Sequence, residues 1–224
     1  MAAIAASFAK AFQLNSLLRA AAIGCGLLIV GCGESEAPAD DLPFDFYVLS
    51  LSWSPSYCRS QGADADPEQC AAGRDLGFVV HGLWPQFEAG WPEFCADDAV
   101  SPSRSQVDAI DDLIPSDGLI RHQWRKHGTC TNLSIDAYFE TTRAAFEQIA
   151  LPDLGEGTRI AGDAVLSWFR DANPEIPPDG ISVSCGDDML REVRICLSTS
   201  LDFRSCPEVA ERSCRQRNLA IPER

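Results

Sequence analysis

The chain has 224 residues, three histidines and, past residue 31, one lysine, and these four residues fall within two short segments. The first segment is Phe78-Val79-Val80-His81-Gly82-Leu83-Trp84-Pro85 and the second is His122-Gln123-Trp124-Arg125-Lys126-His127-Gly128-Thr129-Cys130. Histidine is the side chain whose ordinary pKa lets it both give and take a proton near neutrality. Two imidazoles and an ammonium suit a reaction that needs a base, an acid and a place for growing negative charge. Cleavage of RNA by its own 2′-hydroxyl is such a reaction. One group removes the hydroxyl proton, another protonates the leaving 5′-oxygen, and a cation faces the phosphorane. The nucleophile belongs to the substrate, so neither a metal nor a cofactor is expected.

Spacing adds to this. Residues three and four apart share a helical face, so Gln123 neighbours Lys126 and His127, and His122 neighbours Lys126. His81 arrives from a separate element, which allows acid and base to flank a substrate from two sides. His122 and His127 are five apart, about 140° around a helix, whereas zinc-binding histidines on one helix usually sit four apart. A metal site is therefore not expected. The cysteines contain no CxxC pair, which argues against zinc there as well.

The elements that must carry these groups start after an N-terminal segment that does not belong to the fold. Lys10 and Arg19 precede an apolar run from Ala20 to Gly31 that ends at Cys32, the layout of a secretory signal. The run is shorter than the roughly 20 residues that span a bilayer. Ile29-Val30-Gly31-Cys32 resembles the bacterial lipobox, in which the cysteine is lipidated. The expected organisation is a lipoprotein-type signal over residues 1–31, a flexible tether over residues 32–41 and one domain over residues 42–224. Such a protein is exported to the periplasm and held at a bacterial membrane through the lipid on Cys32.

Net charge is −15, and about −17 once Lys10 and Arg19 are removed. That excludes a protein that grips long nucleic acid with a broad basic face. Arg121, Arg125 and Lys126 still supply a small positive patch beside the histidines. Of the ten cysteines, eight remain once Cys25 and Cys32 are set aside. An even number in an oxidising compartment predicts four disulfides, with the pairing left open.

Hydrophobic patterning predicts a buried strand over 44–53, a loop over 54–74 closed by Cys58 and Cys70, and a short strand over 77–83 with His81 near its end. Helices are expected over 106–114, 120–126 and 161–172, and over 135–149 with Ser134 as N-cap. Strands over 181–185 and 192–198 flank a Gly186-Asp187-Asp188 turn. Strands and helices mix without a βαβ rhythm, so the class is α+β.

The segments FVVHGLWP and HQWRKHGTC resemble the two active-site segments of the ribonuclease T2 family, and the resemblance runs from Tyr47 to the terminal cysteines. It implies a central antiparallel sheet flanked by helices and stapled by disulfides. It also implies a metal-independent endoribonuclease that cleaves single-stranded RNA with low base specificity, through a 2′,3′-cyclic phosphate to 3′-phosphate ends. Carried over, His127 is the general base, His81 the general acid, His122 a phosphate ligand and Lys126 the phosphorane stabiliser. Trp84 stacks on a base, Gln86 reads one, and Arg125 contributes to substrate binding. The implied disulfides are Cys95 with Cys130 and Cys185 with Cys214 enclosing Cys196 with Cys206, leaving Cys58 with Cys70. RNA is the only expected partner besides the lipid anchor, and a monomer is expected.

One residue departs from the family pattern. Gln123 stands at a catalytic position where the family has glutamate. An amide can hydrogen-bond a phosphate or an imidazole but carries neither charge nor proton. Loss of a carboxylate should make His122 and His127 easier to deprotonate, which predicts retained activity with a shifted pH profile. Two other readings compete. One is a binding lipoprotein that kept the fold and lost catalysis, supported by Gln123 and the acidic composition but opposed by the retained His81, Lys126 and His127. The other is a metal-dependent phosphoesterase.

Overall fold

A computed structural model describes residues 42–224. The signal over residues 1–31, the tether over residues 32–41 and the lipidation candidate Cys32 lie outside the described residues. In chain order the elements are β1 (Phe46–Trp53), α1 (Ser54–Gln61), α2 (Pro67–Cys70), β2 (Phe78–Gln86), α3 (Arg104–Asp108), α4 (Asp117–Lys126), α5 (Ile135–Glu147), β3 (Arg159–Ile160), α6 (Gly162–Ala172), β4 (Ile181–Gly186), β5 (Met189–Leu197), α7 (Pro207–Glu211) and β6 (Leu219–Ala220). Strands β2, β1, β5 and β4 lie side by side, all antiparallel. The short β6 meets β5 in parallel at Met189 and pairs with β3. The class is α+β, as expected.

The two faces of the sheet follow from strand alternation. Tyr47, Leu49, Leu51 and Trp53 of β1 enter the main core with Val193, Ile195 and Leu197 of β5. Ile120 and Trp124 of α4, Tyr138 and Phe139 of α5, and Val165 and Phe169 of α6 close that core. On the opposite face Phe46 and Val48 form a small cluster with Cys196 and Cys206. Ser50 and Ser52 continue that face of β1, and Glu192 and Arg194 stand opposite them in register on β5. Small serines at the middle of the sheet leave room above it, and the cleft lies there.

His81 is not near the end of its strand. It is the fourth of nine residues in β2, which runs on to Gln86. The register explains how: Ser50 pairs with Gly82 and Leu51 with Val80, so His81 is an extra, bulged residue. A bulge shifts strand parity by one. Val80 and Leu83 therefore both face the core, while His81 and Trp84, three apart, share the cleft face with ring centroids 5.3 Å apart. Pro85 is tolerated because β2 is an edge strand. Its outer edge is covered where Val80 N donates to Leu113 O at 2.9 Å and Tyr138 OH donates to Leu83 O at 2.8 Å.

Other expectations shift locally. The loop over 54–74 is largely helical, as α1 and α2 with a 3-10 turn at Gly62–Asp64 between them. Pro55 and Pro67 each sit in a first helical turn, where a missing N–H costs nothing. Helix α3 is shorter than predicted, ending at Asp108 after a capping box between Ser103 and Gln106. The apolar spacing persists because Ile110 and Ile114 are still buried. Helix α4 starts at Asp117 under a Ser116 cap, with Gly118 inside its first turn. Ser134 caps α5 through the amide of Ala137. Asp187 and Asp188 have φ of 52° and 56°, the paired positive values of a tight hairpin turn.

The disulfides join Cys58 to Cys70, Cys95 to Cys130, Cys185 to Cys214 and Cys196 to Cys206. These are the pairs that the family resemblance implies.

Candidate active site

The bulge in β2 and the last turn of α4 bring the two histidine segments together. A cleft of about 350 Å³ is lined by His81, Trp84 and Gln86 from β2 and by His122, Gln123, Lys126 and His127 at the end of α4. Arg125 stands outside this lining, with its guanidinium Nη2 3.3 Å from His122 Nδ1. A second cavity of about 380 Å³ lies on the far side of His81, bounded by Tyr57, Ser184, Arg191 and Glu192. Arg194 and His81 border both cavities, so the groove passes His81 on two sides.

His127 does not extend the helical face. It is the C-cap of α4, with φ −121° and ψ −45°, and its amide still donates to Gln123 O at 2.9 Å. The chain then turns away into a 3-10 turn, Gly128–Cys130, anchored by the Cys95–Cys130 bridge. This turn lays the imidazole against Trp84, with centroids 5.4 Å apart and planes at 30°. His127 is buried, and its Nδ1 is sealed without a hydrogen-bond partner. Nε2 is thereby left as the nitrogen that can meet a substrate. Burial, followed by the charges of Lys126, His81 and His122, pushes the ring down to about 3. His122 is also lowered, first by burial and then by Arg125, Lys126 and His81. Burial, which no sequence spacing displayed, leads in both, and position 123 is among the causes of neither.

Gln123 is 2 % exposed, and its Oε1 accepts a 2.8 Å hydrogen bond from Trp84 Nε1. The amide oxygen thus holds the indole and is not free for a phosphate or an imidazole. The contact depends on Gly82, where a Cβ would collide with Gln123 Oε1 and with the Trp84 indole nitrogen. Gln86 is likewise turned inward, donating from Nε2 to Pro85 O at 2.8 Å.

Sequence reasoning missed several residues of the cleft. Glu192 Oε1 lies 2.6 Å from His81 Nδ1, and its other oxygen accepts from Arg194 Nε at 3.0 Å and Nη2 at 2.7 Å. The Arg194 guanidinium in turn lies 5.2 Å from the Trp84 ring centroid. Burial works to raise the Glu192 carboxyl, but the hydrogen bond and charge of His81, with Arg194, overcome it and hold the group at about 2. Glu93 reaches Lys126 Nζ at 3.3 Å. Trp91 is 47 % exposed and lines the cleft, with Arg212 5.6 Å from its ring centroid. The alternation of Glu192 and Arg194 with Val193 and Ile195 was a readable sign that one charged face existed. Nothing in the chain announced that its partner was His81, 111 residues away. Among the described residues no group of three or more His, Cys, Asp or Glu stands where it could hold a metal.

Comparison with known proteins bears on the same residues. The Ribonuclease T2 family model matches residues 44–206. A ribonuclease of Aeromonas hydrophila is 38 % identical over 206 residues, covering 83 % of this chain and 89 % of that protein. Among solved structures, a self-incompatibility-associated ribonuclease of Nicotiana alata aligns over 80 % of this chain and 100 % of its own, with a TM-score of 0.66 at 16 % identity. A ribonuclease in complex with 5′-AMP aligns over 81 % of this chain and 99 % of its own, with a TM-score of 0.57 at 23 % identity. At these identities the structural likeness speaks for the fold.

Proposed function

The chain belongs to the ribonuclease T2 family, and from that premise we propose that its cleft cleaves single-stranded RNA by transphosphorylation at the 2′-hydroxyl. The observation that carries this reading is the meeting of two imidazoles from different elements on one indole. His81 approaches the Trp84 ring edge-on and His127 stacks against it, with Lys126 and His122 in the same cleft. Neutral His127 takes the proton of the 2′-hydroxyl as its oxygen attacks phosphorus. The bond from phosphorus to the 5′-oxygen breaks, and His81 donates the proton that the leaving oxygen needs. His122 binds the phosphate, and Lys126 faces the phosphorane oxygens as their charge grows. The products are a 2′,3′-cyclic phosphate and a 5′-hydroxyl. In the second step His81 activates a water and His127 returns a proton to the 2′-oxygen, leaving a 3′-phosphate.

Trp84 and the exposed Trp91 supply stacking surfaces that accept any base, which supports low base specificity. Gln86 Nε2 is held on Pro85 O, so reading a base with Gln86 requires that bond to be exchanged for one to the base, and Arg125 meets the flanking backbone. The complex of a relative with 5′-AMP supports a nucleotide-binding role for the cleft. Export to the periplasm by a lipoprotein signal, with attachment through Cys32, completes the reading. It is supported by the layout of residues 1–32 and by the four disulfides. The enzyme acts as a monomer with RNA as its partner.

Purified protein incubated with RNA and with DNA in excess EDTA should degrade only the RNA and release a cyclic phosphate. His81→Ala and His127→Ala should each lose about 10²–10⁴ in rate. Near-normal cleavage by His127→Ala, or loss of activity in EDTA, overturns the assignment. Mass spectrometry of the mature N-terminus tests for lipid on Cys32.

A further inference from the structure

We propose that Glu192 is a positioning residue for His81, fixing its tautomer and supporting its protonated form, and that β5 is thereby part of the catalytic machinery. The inference rests on the assignment of His81 as general acid. Glu192 lies two strands away from His81, since β1 runs between β2 and β5. The contact is possible because the residues that β1 presents between His81 and Glu192 are the small Ser50 and Ser52. Glu192 is opposite Ser52 in register, and the bulged His81 falls between the partners of Ser50 and Leu51. The carboxylate side chain is only 12 % exposed and spends one oxygen on the ring and the other on Arg194.

The geometry selects one state of the ring. A carboxylate can only accept, so His81 Nδ1 must be its N–H donor, which leaves Nε2 for the substrate. The imidazolium holds Nδ1–H against Glu192 and gives the Nε2 proton to the leaving 5′-oxygen. The neutral ring that remains keeps Nδ1–H and presents a bare Nε2, the form needed to take a proton from water in the second step. Without Glu192 the neutral ring could carry its proton on either nitrogen. Charge argues the same way. From β5, His81 faces Arg194 and Arg191, and from α4 it faces Lys126, His122 and His127; Tyr57 of α1 borders the far cavity. Glu93, the carboxylate lining the cleft on the other side of His81, is paired with Lys126. Glu192 is thus the anion in contact with a ring surrounded by cationic and ionisable groups, and an anionic partner favours an imidazolium. Arg194 keeps the carboxylate ionised and, lying over Trp84, ties the acid to the stacking surface.

The test is Glu192→Gln, which keeps the shape and removes the charge. It should lower kcat for RNA about 10–100-fold at neutral pH, the scale found when a partner that orients a metal-binding histidine is removed. KM should change less than about threefold, and the alkaline limb of the pH–rate profile should move down by about one unit or more. Glu192→Asp should restore the limb at least in part. An unmoved limb with kcat within about twofold of the parent overturns the role. Should Glu192→Gln fail to fold, the parent protein still decides, by proton NMR with 15N-labelled histidine. A protected, downfield Nδ1–H signal of His81 is required, and a ring protonated on Nε2 alone when neutral refutes the proposal. His127→Ala is assayed in parallel. If it stays active, the assignment of the acid and base has failed, whereas an inactive His127→Ala beside an unaltered Glu192→Gln fails Glu192 alone.

Discussion

Gln123 changes meaning once its surroundings are known. As a residue type it reads as a lost charge, and in place it is the acceptor that holds Trp84. Both properties enter one prediction. Gln123→Glu restores a carboxylate beside His127, which favours the imidazolium, so a higher pH is needed to free the base. The acid limb of the pH–rate profile should move up by about one unit, and limbs unmoved in rate measurements across pH would contradict it. The buried His127 has a second consequence, for stability. Its folded value of about 3 lies below the ordinary 6.5, so below pH 6.5 the unfolded chain binds a proton that the native state refuses. Stability from this site is fully present above 6.5 and drains as pH falls toward 3. Glu192, at about 2 against an ordinary 4.5, adds a loss that sets in only below 4.5. Thermal midpoints should therefore start to fall near pH 6.5, and His127→Gln should flatten that upper part of the curve. At this scale the chain was legible where residues were rare. His81, His122, Lys126 and His127 stood out, whereas Glu192 was one acid among many because its role comes from a contact across the sheet.

At the scale of elements, alternation in β1 and β5 was readable because apolar and small or charged residues take turns along each strand. The bulge was not, since Val80, His81 and Gly82 read as uninterrupted strand in either register. It nevertheless decides the site, because it lets His81 and Trp84 face the same way while Val80 and Leu83 both reach the core. The helices α1 and α2 were hidden by prolines and a glycine that mark their starts and a stop rather than a loop. Gly82 shows how tightly β2 and α4 are fitted. Gly82→Ala pushes a methyl group into Gln123 and Trp84 and should cost about 1–3 kcal/mol, read from urea unfolding. Cleavage should fall at least tenfold as Trp84 is displaced. Parental stability and rate in this variant would show that the two elements can part without harm.

The whole molecule combines a net charge of −15 with a cluster of cations in one groove, so attraction to RNA is local. Among the described residues the longest cross-link, between Cys95 and Cys130 with a sequence separation of 35, binds the loop carrying Trp91 and Glu93 to the turn after His127. Beside it Phe94 N donates to Lys126 O at 2.8 Å. Replacing both cysteines by serine should cost about 3–4 kcal/mol by the loop-entropy account and raise KM for RNA. Calorimetry and initial rates check this, and an unchanged KM would detach the loop from substrate binding. Cytosolic thiols are kept reduced, so before the proposed export this bridge would stay open, with one wall of the groove unsecured. Inside the cell that makes it, such a protein is surrounded by messenger and ribosomal RNA. Under the proposed export, the cystine that steadies the cleft would also work as a delay, protecting the producer until its nuclease has left.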